Sequence, residues 1–320
     1  MSMLISLNAT PPQHVVFSEE LLVRYIAFLD VSPKSIETYS RAVRQFLFFL
    51  RDEGITAPQR EHVILWREIL RITGRKPNTI QNYIVAVRGF FAWLEQERIY
   101  PNIAERVKGA KIDKSHKKDY LTAHQVRVIL AHIDRTTLQG ARDYALLLLL
   151  FTCGLRTIEA ARACVGDIRV IGDDTVLYVQ GKGQQEKAAA VRLMPPVEDA
   201  IRAYLIYRGE LPPFAALFAS TSNNSLGNPL STRTISGIVK TRMIAAGFNS
   251  DRLTAHSTRH TAVTLALLAG RELAEVQQFA RHANIQTTLI YSHALDEAKN
   301  GCASAITDKI FADAQQEGKT

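Results

Sequence analysis

Between Ser18 and about Val107, apolar residues recur at intervals of three and four in four successive segments. These are SEELLVRYIAFLD, SIETYSRAVRQFLFFLRDEG, HVILWREILRITG and PNTIQNYIVAVRGFFAWLEQERIY. That spacing puts the apolar side chains on one face of a helix. Ser18, Ser35, Gly54, Gly74 and Pro77 stand at the junctions, where side-chain caps, left-handed turns and a first-turn proline start or stop helices. The stretch predicts a bundle of about four helices.

The pattern breaks at RVKGAKIDKSHKK, where Arg106, Lys108, Lys111, Lys114, Lys117 and Lys118 face a single Asp113. A charge run of this kind is a solvated linker, or a strap across a nucleic-acid backbone if the flanking domains bind one. The predicted division is a helical domain over 15–107, a basic linker over 108–119, a second domain over 120–312 and a tail over 313–320. The second domain starts a helix at Leu121-Thr122 and runs through Arg142–Thr152, which is apolar enough to be buried nearly all round. TVLYVQ, GKGQ and EKAAAVRLMP then read as an antiparallel hairpin over Thr175–Met194, the one convincing strand signal. PPVEDAIRAYLIYRG, STRTISGIVKTRMIAAG, AHSTRHTAVTLALLAG and ELAEVQQFARH return to the helical period. The fold class is mainly α, with a small antiparallel β element in the second domain.

Composition narrows the function classes. A chain of 320 residues, 47% hydrophobic and 22% charged, has the ordinary make-up of about two globular domains. Lys and Arg exceed Asp and Glu by 39 − 31 = 8, and the pI near 9.4 favours a polyanionic partner. Cys153, Cys164 and Cys302 are odd in number and lack metal-ligand spacing, so a reducing compartment is expected and no metal site is indicated. MSMLISLNATPPQH lacks the basic and apolar regions of a leader, and the run YALLLLLF is too short to span a bilayer. A cytoplasmic protein without a membrane partner is expected.

The candidate chemistry lies in the second domain. Arg156, in GLRTIEA, follows the buried helix, with Glu159 three residues on. Lys182 sits in the GKGQ turn, and Lys187 lies in the same hairpin. In LTAHSTRHT, His256 and Arg259 at i and i+3 share a helix face near its positive end, with Thr254 or Ser257 as N-cap, while His260 points elsewhere. RHANIQTTLIYSH then brings Arg281, His282 and Tyr291, with Asn284 as a plausible cap for the tyrosine helix. Each residue alone has an ordinary structural reading: a helix-end cation, a solvated turn, a tyrosine on an amphipathic face. Their order is the specific signal.

GLRTIEA, GKG, HSTRHT and HANIQTTLIYSH, in that order, resemble the tyrosine site-specific recombinases of the phage integrase family, and within it the XerC/XerD type; the resemblance covers nearly the whole chain. It implies a SAM-like core-binding domain before the linker and a catalytic domain after it. It also implies that Tyr291 attacks DNA to form a 3′-phosphotyrosyl bond, with Arg156 and Arg259 clamping the phosphate and His282 donating to it. Lys182 would be the general acid, His256 the general base or hydrogen-bond partner, and Glu159 the residue that orients Arg156, with His260 in support. Lys108, Lys111, Lys114, Lys117, Lys118 and Arg281 are the expected DNA contacts. The implied partners are double-stranded DNA carrying a specific core site, a tetramer of the chain on two such sites, and a second recombinase or accessory protein. No cofactor, metal or ATP is called for, because one phosphodiester replaces another.

Two positions depart from the family pattern: Arg281 stands where Gly is usual, and Ala255 where Pro is common. About seventeen residues before the first helix leave no room for an additional arm-binding domain, which favours a simple core-site enzyme. The competing readings are a type IB topoisomerase-like enzyme, a DNA-binding protein without catalysis, and a basic helical protein with coincidental motifs.

Overall fold

The computed structural model describes residues 15–111, 119–181, 183–298 and 302–311. It divides into two compact units, Met1–Lys114 and Ser115–Thr320.

The first unit consists, among the described residues, of α1 (Glu19–Phe28), α2 (Pro33–Asp52), α3 (Arg60–Ile72) and α4 (Pro77–Gln96). Ser18 caps α1, accepting from the Leu21 amide. α2 begins two residues before the expected Ser35. Ser32 is its cap, and Pro33 takes the first helical position, where the missing N–H would have no partner in any case. The predicted apolar faces meet in one core that includes Leu22, Phe46, Ile84, Phe90 and Phe91, each fully buried. Arg60 and Arg67 of α3 donate to the carbonyls of Arg106 and Lys108 at 3.3 and 2.7 Å, tying the start of the basic segment to this unit. Lys108 and Lys111 are exposed there, while Lys114, Lys117 and Lys118 lie outside the described residues.

The second unit runs α5 (Ala123–Ala131), α6 (Leu138–Cys153), α7 (Thr157–Arg162), β1 (Ile168–Ile171), β2 (Asp174–Val179), β3 (Ala189–Arg192), α8 (Pro195–Ile206), α9 (Thr232–Ala245), α10 (Ala255–Leu268), α11 (Leu273–Ala280), α12 (Gln286–Ala298) and α13 (Cys302–Phe311). α6 is the axis of this unit, packed on α8 and α10, with Leu146, Leu147, Leu149 and Leu150 all at 0% exposure. Asp143, also buried, accepts two hydrogen bonds from Arg142 and two from Arg242 of α9, so α6 and α9 are joined through a shared carboxylate. Removing that carboxylate would leave two cations unpaired, the costly way to break a buried ion pair.

The expected two-stranded hairpin is a three-stranded antiparallel sheet in the order β1-β2-β3, with Ile168 opposite Leu177 and Val176 opposite Arg192. β1 escaped the sequence reading because it is four residues long and mostly exposed, so it shows no alternation of buried and exposed positions. Its turn into β2 uses Gly172 at φ 60°, a conformation that glycine adopts without penalty. Among the described residues, no helix is long and apolar enough to cross a membrane.

Candidate active site

α6 terminates at Gly154, which is left-handed at φ 58°. A Cβ there would come within 3.1 Å of the Phe279 ring, so the close approach of α11 and the backbone angle both favour glycine. The turn exposes the Gly154 carbonyl, which accepts from Arg259 Nη1 at 2.6 Å and from Arg281 Nη2 at 3.2 Å. Arg156 follows as the cap of α7. Its amide donates to Glu159 Oε2 at 2.8 Å and its Nη1 to Glu159 Oε1 at 2.9 Å, so Glu159 orients both backbone and side chain. Arg156 Nη2 donates to the Arg281 carbonyl at 3.1 Å.

α10 brings His256 and Arg259 to the same place. Thr254 and Ser257 form a reciprocal capping box, so the two alternative caps act together. Arg156, His256, Arg259, Ser236, Lys240 and Asp251 line one cleft of about 610 Å³. His256 is exposed, while Arg259 is 2% exposed and also donates to the Ala280 carbonyl.

α11 ends at Arg281, left-handed at φ 54°, an uncommon setting for a side chain other than glycine. Its guanidinium is turned into the protein, donating to Glu159 Oε2 at 3.0 Å and to the Phe279 carbonyl at 2.8 Å. The sequence left Arg281 between a phosphate contact and solvent. The structure gives a third arrangement, an ion pair with a fully buried carboxylate, and a DNA contact would require its release. The next residue, His282, is 9% exposed, and its Nδ1 lies 2.8 Å from Thr288 Oγ1.

Asn284 Oδ1 accepts from the Gln286 amide at the start of α12, as a capping side chain should. Tyr291, in the middle of α12, is 5% exposed and packs with Val263, Val276 and Ala280. Its ring lies 5.0 Å from that of His260 and 6.3 Å from that of His282. His260 does not point away from the others: it is buried, edge-on to His256 at 4.5 Å, so it links the cleft residue to the tyrosine.

Three guanidinium groups around one carboxylate leave an excess of positive charge, and burial together with this charge sets the protonation of the site. Burial, then the charges of Arg156 and Arg281, push Arg259 down to about 10. Burial raises Glu159, but Arg281 and Arg156 outweigh it and hold the carboxyl below its ordinary range. Burial raises Tyr291 to about 12 against the opposing pull of Arg259 and Arg156, so the phenol is protonated at neutral pH. Burial and then Arg259, Arg156 and Arg281 depress His282 to about 4. A neutral His282 whose Nδ1 accepts the Thr288 hydroxyl carries its proton on Nε2 and retains one donor. This excess charge attracts an anion, and paired guanidinium groups suit the oxygens of a phosphate.

The His282 shift has a consequence for stability. The ring titrates near 6.5 unfolded and near 4 folded, so between these values the unfolded chain binds more protons. Its contribution is complete above about pH 6.5 and is lost as pH falls toward 4. Urea unfolding from pH 7 to pH 4.5 should show His282→Gln losing less stability than the parent, by on the order of 1 kcal/mol. Parallel profiles for the two proteins would show that His282 is not held neutral.

Arg156, Glu159, His256, Arg259, His260, Arg281, His282 and Tyr291 are thus gathered in the second unit, while Lys182 lies outside the described residues. Lys187, the other hairpin lysine, donates to Asp167 Oδ2 at 2.5 Å. Although burial lowers its pKa, that bond raises it on balance, so the Lys187 ammonium gives up its proton less readily than a free lysine. Thr288 and the Gly154 carbonyl went unnoticed in the sequence. Thr288 could have been found as the hydroxyl one helical turn before Tyr291; a carbonyl leaves no mark in the residue pattern.

Residues 119–298 match the phage integrase family and residues 22–98 match the N-terminal SAM-like domain of phage integrases. A tyrosine recombinase of Synechococcus elongatus is 29% identical over 284 residues, covering 85% of this chain and 88% of that protein. The tyrosine recombinase XerC of Pelobacter propionicus is 29% identical over 274 residues, covering 82% and 86%. The fold is shared with the XerH site-specific recombinase bound to palindromic difH substrate, with TM-score 0.68 at 22% identity over 82% of this chain and 78% of that one. It is also shared with a lambda integrase dimer bound to a COC′ core site, with TM-score 0.66 at 14% identity over 84% and 96%.

Proposed function

Because the chain belongs to the phage integrase family of tyrosine recombinases, we propose that its site cleaves and rejoins DNA at a specific core sequence with Tyr291 as nucleophile. The observation that carries this reading is the convergence of Arg156, Arg259 and His256 on one cleft, in the unit where Tyr291 packs between His260 and His282. The Tyr291 hydroxyl attacks the scissile phosphorus, a 3′-phosphotyrosyl bond forms, and the bond to the 5′ oxygen breaks. Arg156 and Arg259 neutralise the non-bridging oxygens, and the Nε2–H of neutral His282 donates to one of them. Lys182 supplies the proton that the departing 5′ alkoxide needs, and His256 accepts from or hydrogen-bonds the tyrosine side. The 5′ hydroxyl of a second strand reverses the step, so the exchange conserves the bond and draws on no ATP.

The basic segment from Lys108 through Lys118 crosses the DNA backbone between a core-binding domain at 15–107 and a catalytic domain at 120–312. The active assembly is four protomers on two sites, with a second recombinase or an accessory protein where the two half-sites differ, and it works in the cytoplasm at the nucleoid. The experiment sets recombination between two copies of the core site against relaxation of a supercoiled plasmid that lacks it. Recombinant products with little relaxation support this reading; relaxation without recombination gives the topoisomerase-like one.

A further inference from the structure

The position before His282 closes a circuit of bonds that no reacting group explains. Arg281 Nη2 donates to Glu159 Oε2 at 3.0 Å, Arg156 Nη1 donates to Glu159 Oε1 at 2.9 Å, and Arg156 Nη2 donates to the carbonyl of Arg281 itself at 3.1 Å. Both oxygens of Glu159 are therefore committed, Oε1 to the Arg156 guanidinium and Oε2 to the Arg281 guanidinium and the Arg156 amide, at a residue with no exposure. Arg281 does this from a left-handed backbone, a conformation that glycine would take freely and that other residues adopt at a cost. Its Nε is buried without a hydrogen-bond partner among the described residues, while its two terminal nitrogens bond Glu159 and the Gly154 and Phe279 carbonyls.

We infer that Arg281 is a positioning residue: it fixes Glu159, and through Glu159 and its own carbonyl it holds the Arg156 guanidinium in register with the scissile phosphate. This rests on the recombinase reading above and adds to it a residue that touches no substrate. Without Arg281, Glu159 keeps the two bonds from Arg156, amide to Oε2 and Nη1 to Oε1, but loses the second cation that pins Oε2 from the far side. Arg156 then keeps its charge and its bonds to Glu159 Oε1 and the residue-281 carbonyl, but the carboxylate that directs it is held less firmly, and a bidentate clamp depends on direction.

The test compares Arg281→Gly, which suits the left-handed backbone and keeps the carbonyl, with Arg281→Lys, which keeps the charge. Each protein is given nicked core-site DNA carrying either the natural scissile phosphate or a methylphosphonate, in which a methyl group replaces one charged oxygen. With phosphate, Arg281→Gly should form the covalent adduct roughly tenfold more slowly than the parent, and Arg281→Lys should fall between them. With methylphosphonate, where less charge has to be clamped, Arg281→Gly should stay within about twofold of the parent. Half-site affinity and its salt dependence should not change. A parental rate on phosphate, or an equal loss on both substrates, overturns the inference. A salt slope reduced by about one overturns it too, since that marks a direct phosphate contact. If the parent forms no adduct with either DNA, the recombinase reading has failed and not this extension of it.

Discussion

Tyr291→Phe is expected to lower covalent adduct formation on nicked core-site DNA by at least about 10⁴-fold, the scale on which loss of a covalent nucleophile falls, while DNA affinity stays within twofold. The substitution removes one oxygen and keeps the ring, which packs on Val263, Val276 and Ala280 and lies beside His260 and His282. The fold and the phosphate-binding arginines should therefore survive intact. No neighbouring residue replaces a phenolic oxygen as attacking group, so no partial activity should remain. An adduct rate in Tyr291→Phe within tenfold of the parent would move the nucleophile elsewhere.

Arg259→Met should slow adduct formation by roughly 10²- to 10³-fold, the usual loss for a pre-placed donor to developing charge. Its effect on stability should be small, no more than about 2 kcal/mol, because two contributions oppose each other. The variant loses donors to the Gly154 and Ala280 carbonyls, although Gly154 still accepts from Arg281. It also removes a cation whose pKa is depressed first by burial and then by repulsion from Arg156 and Arg281. Unfolding midpoints and single-turnover rates measured on the same preparations separate the two effects. Arg259→Lys should recover part of the rate, since it restores the charge without the planar fork. A variant that cleaves normally, or one that unfolds, would show that Arg259 is held for the fold and not for the phosphate.

The charge excess that makes Arg259 uncomfortable in the free protein is what suits it to an anion. One phosphodiester brought between Arg156 and Arg259 answers the repulsion that Glu159 alone leaves. The site is therefore assembled at a cost in the free chain and relieved by its substrate, the common trade between stability and function.

The helices of the first unit were legible because each carries its apolar residues at a constant period, with punctuation such as Ser18, Gly54, Gly74 and Pro77 at several of their ends. Ser18 and Pro77 mark their helix starts as the sequence suggests. α2 was placed two residues late because Ser32 and Pro33 signal a helix start only when read as a pair. β1 was missed because an exposed four-residue strand has no burial pattern to read. In the site, Arg156, His256, Arg259, His282 and Tyr291 could be named from their order along the chain. Their electrostatics could not, because these come from contacts across 125 residues of sequence, such as Arg156 to the Arg281 carbonyl. The inward turn of Arg281 and the burial of His260 against Tyr291 likewise depend on how α10, α11 and α12 pack, which no local pattern encodes.

The central claim is that Tyr291 becomes joined to DNA through a 3′ phosphate, and the direct measurement is the site of attachment. Parent protein is trapped on nicked core-site DNA, digested with trypsin and nuclease, and the modified peptide is sequenced by mass spectrometry. Cleavage after Arg281 and Lys299 releases residues 282–299, HANIQTTLIYSHALDEAK, whose single tyrosine is Tyr291. The account predicts a nucleotide attached through its 3′ phosphate to Tyr291 in that peptide. Attachment at Ser292, Thr288 or any other peptide, or through a 5′ phosphate, would contradict it.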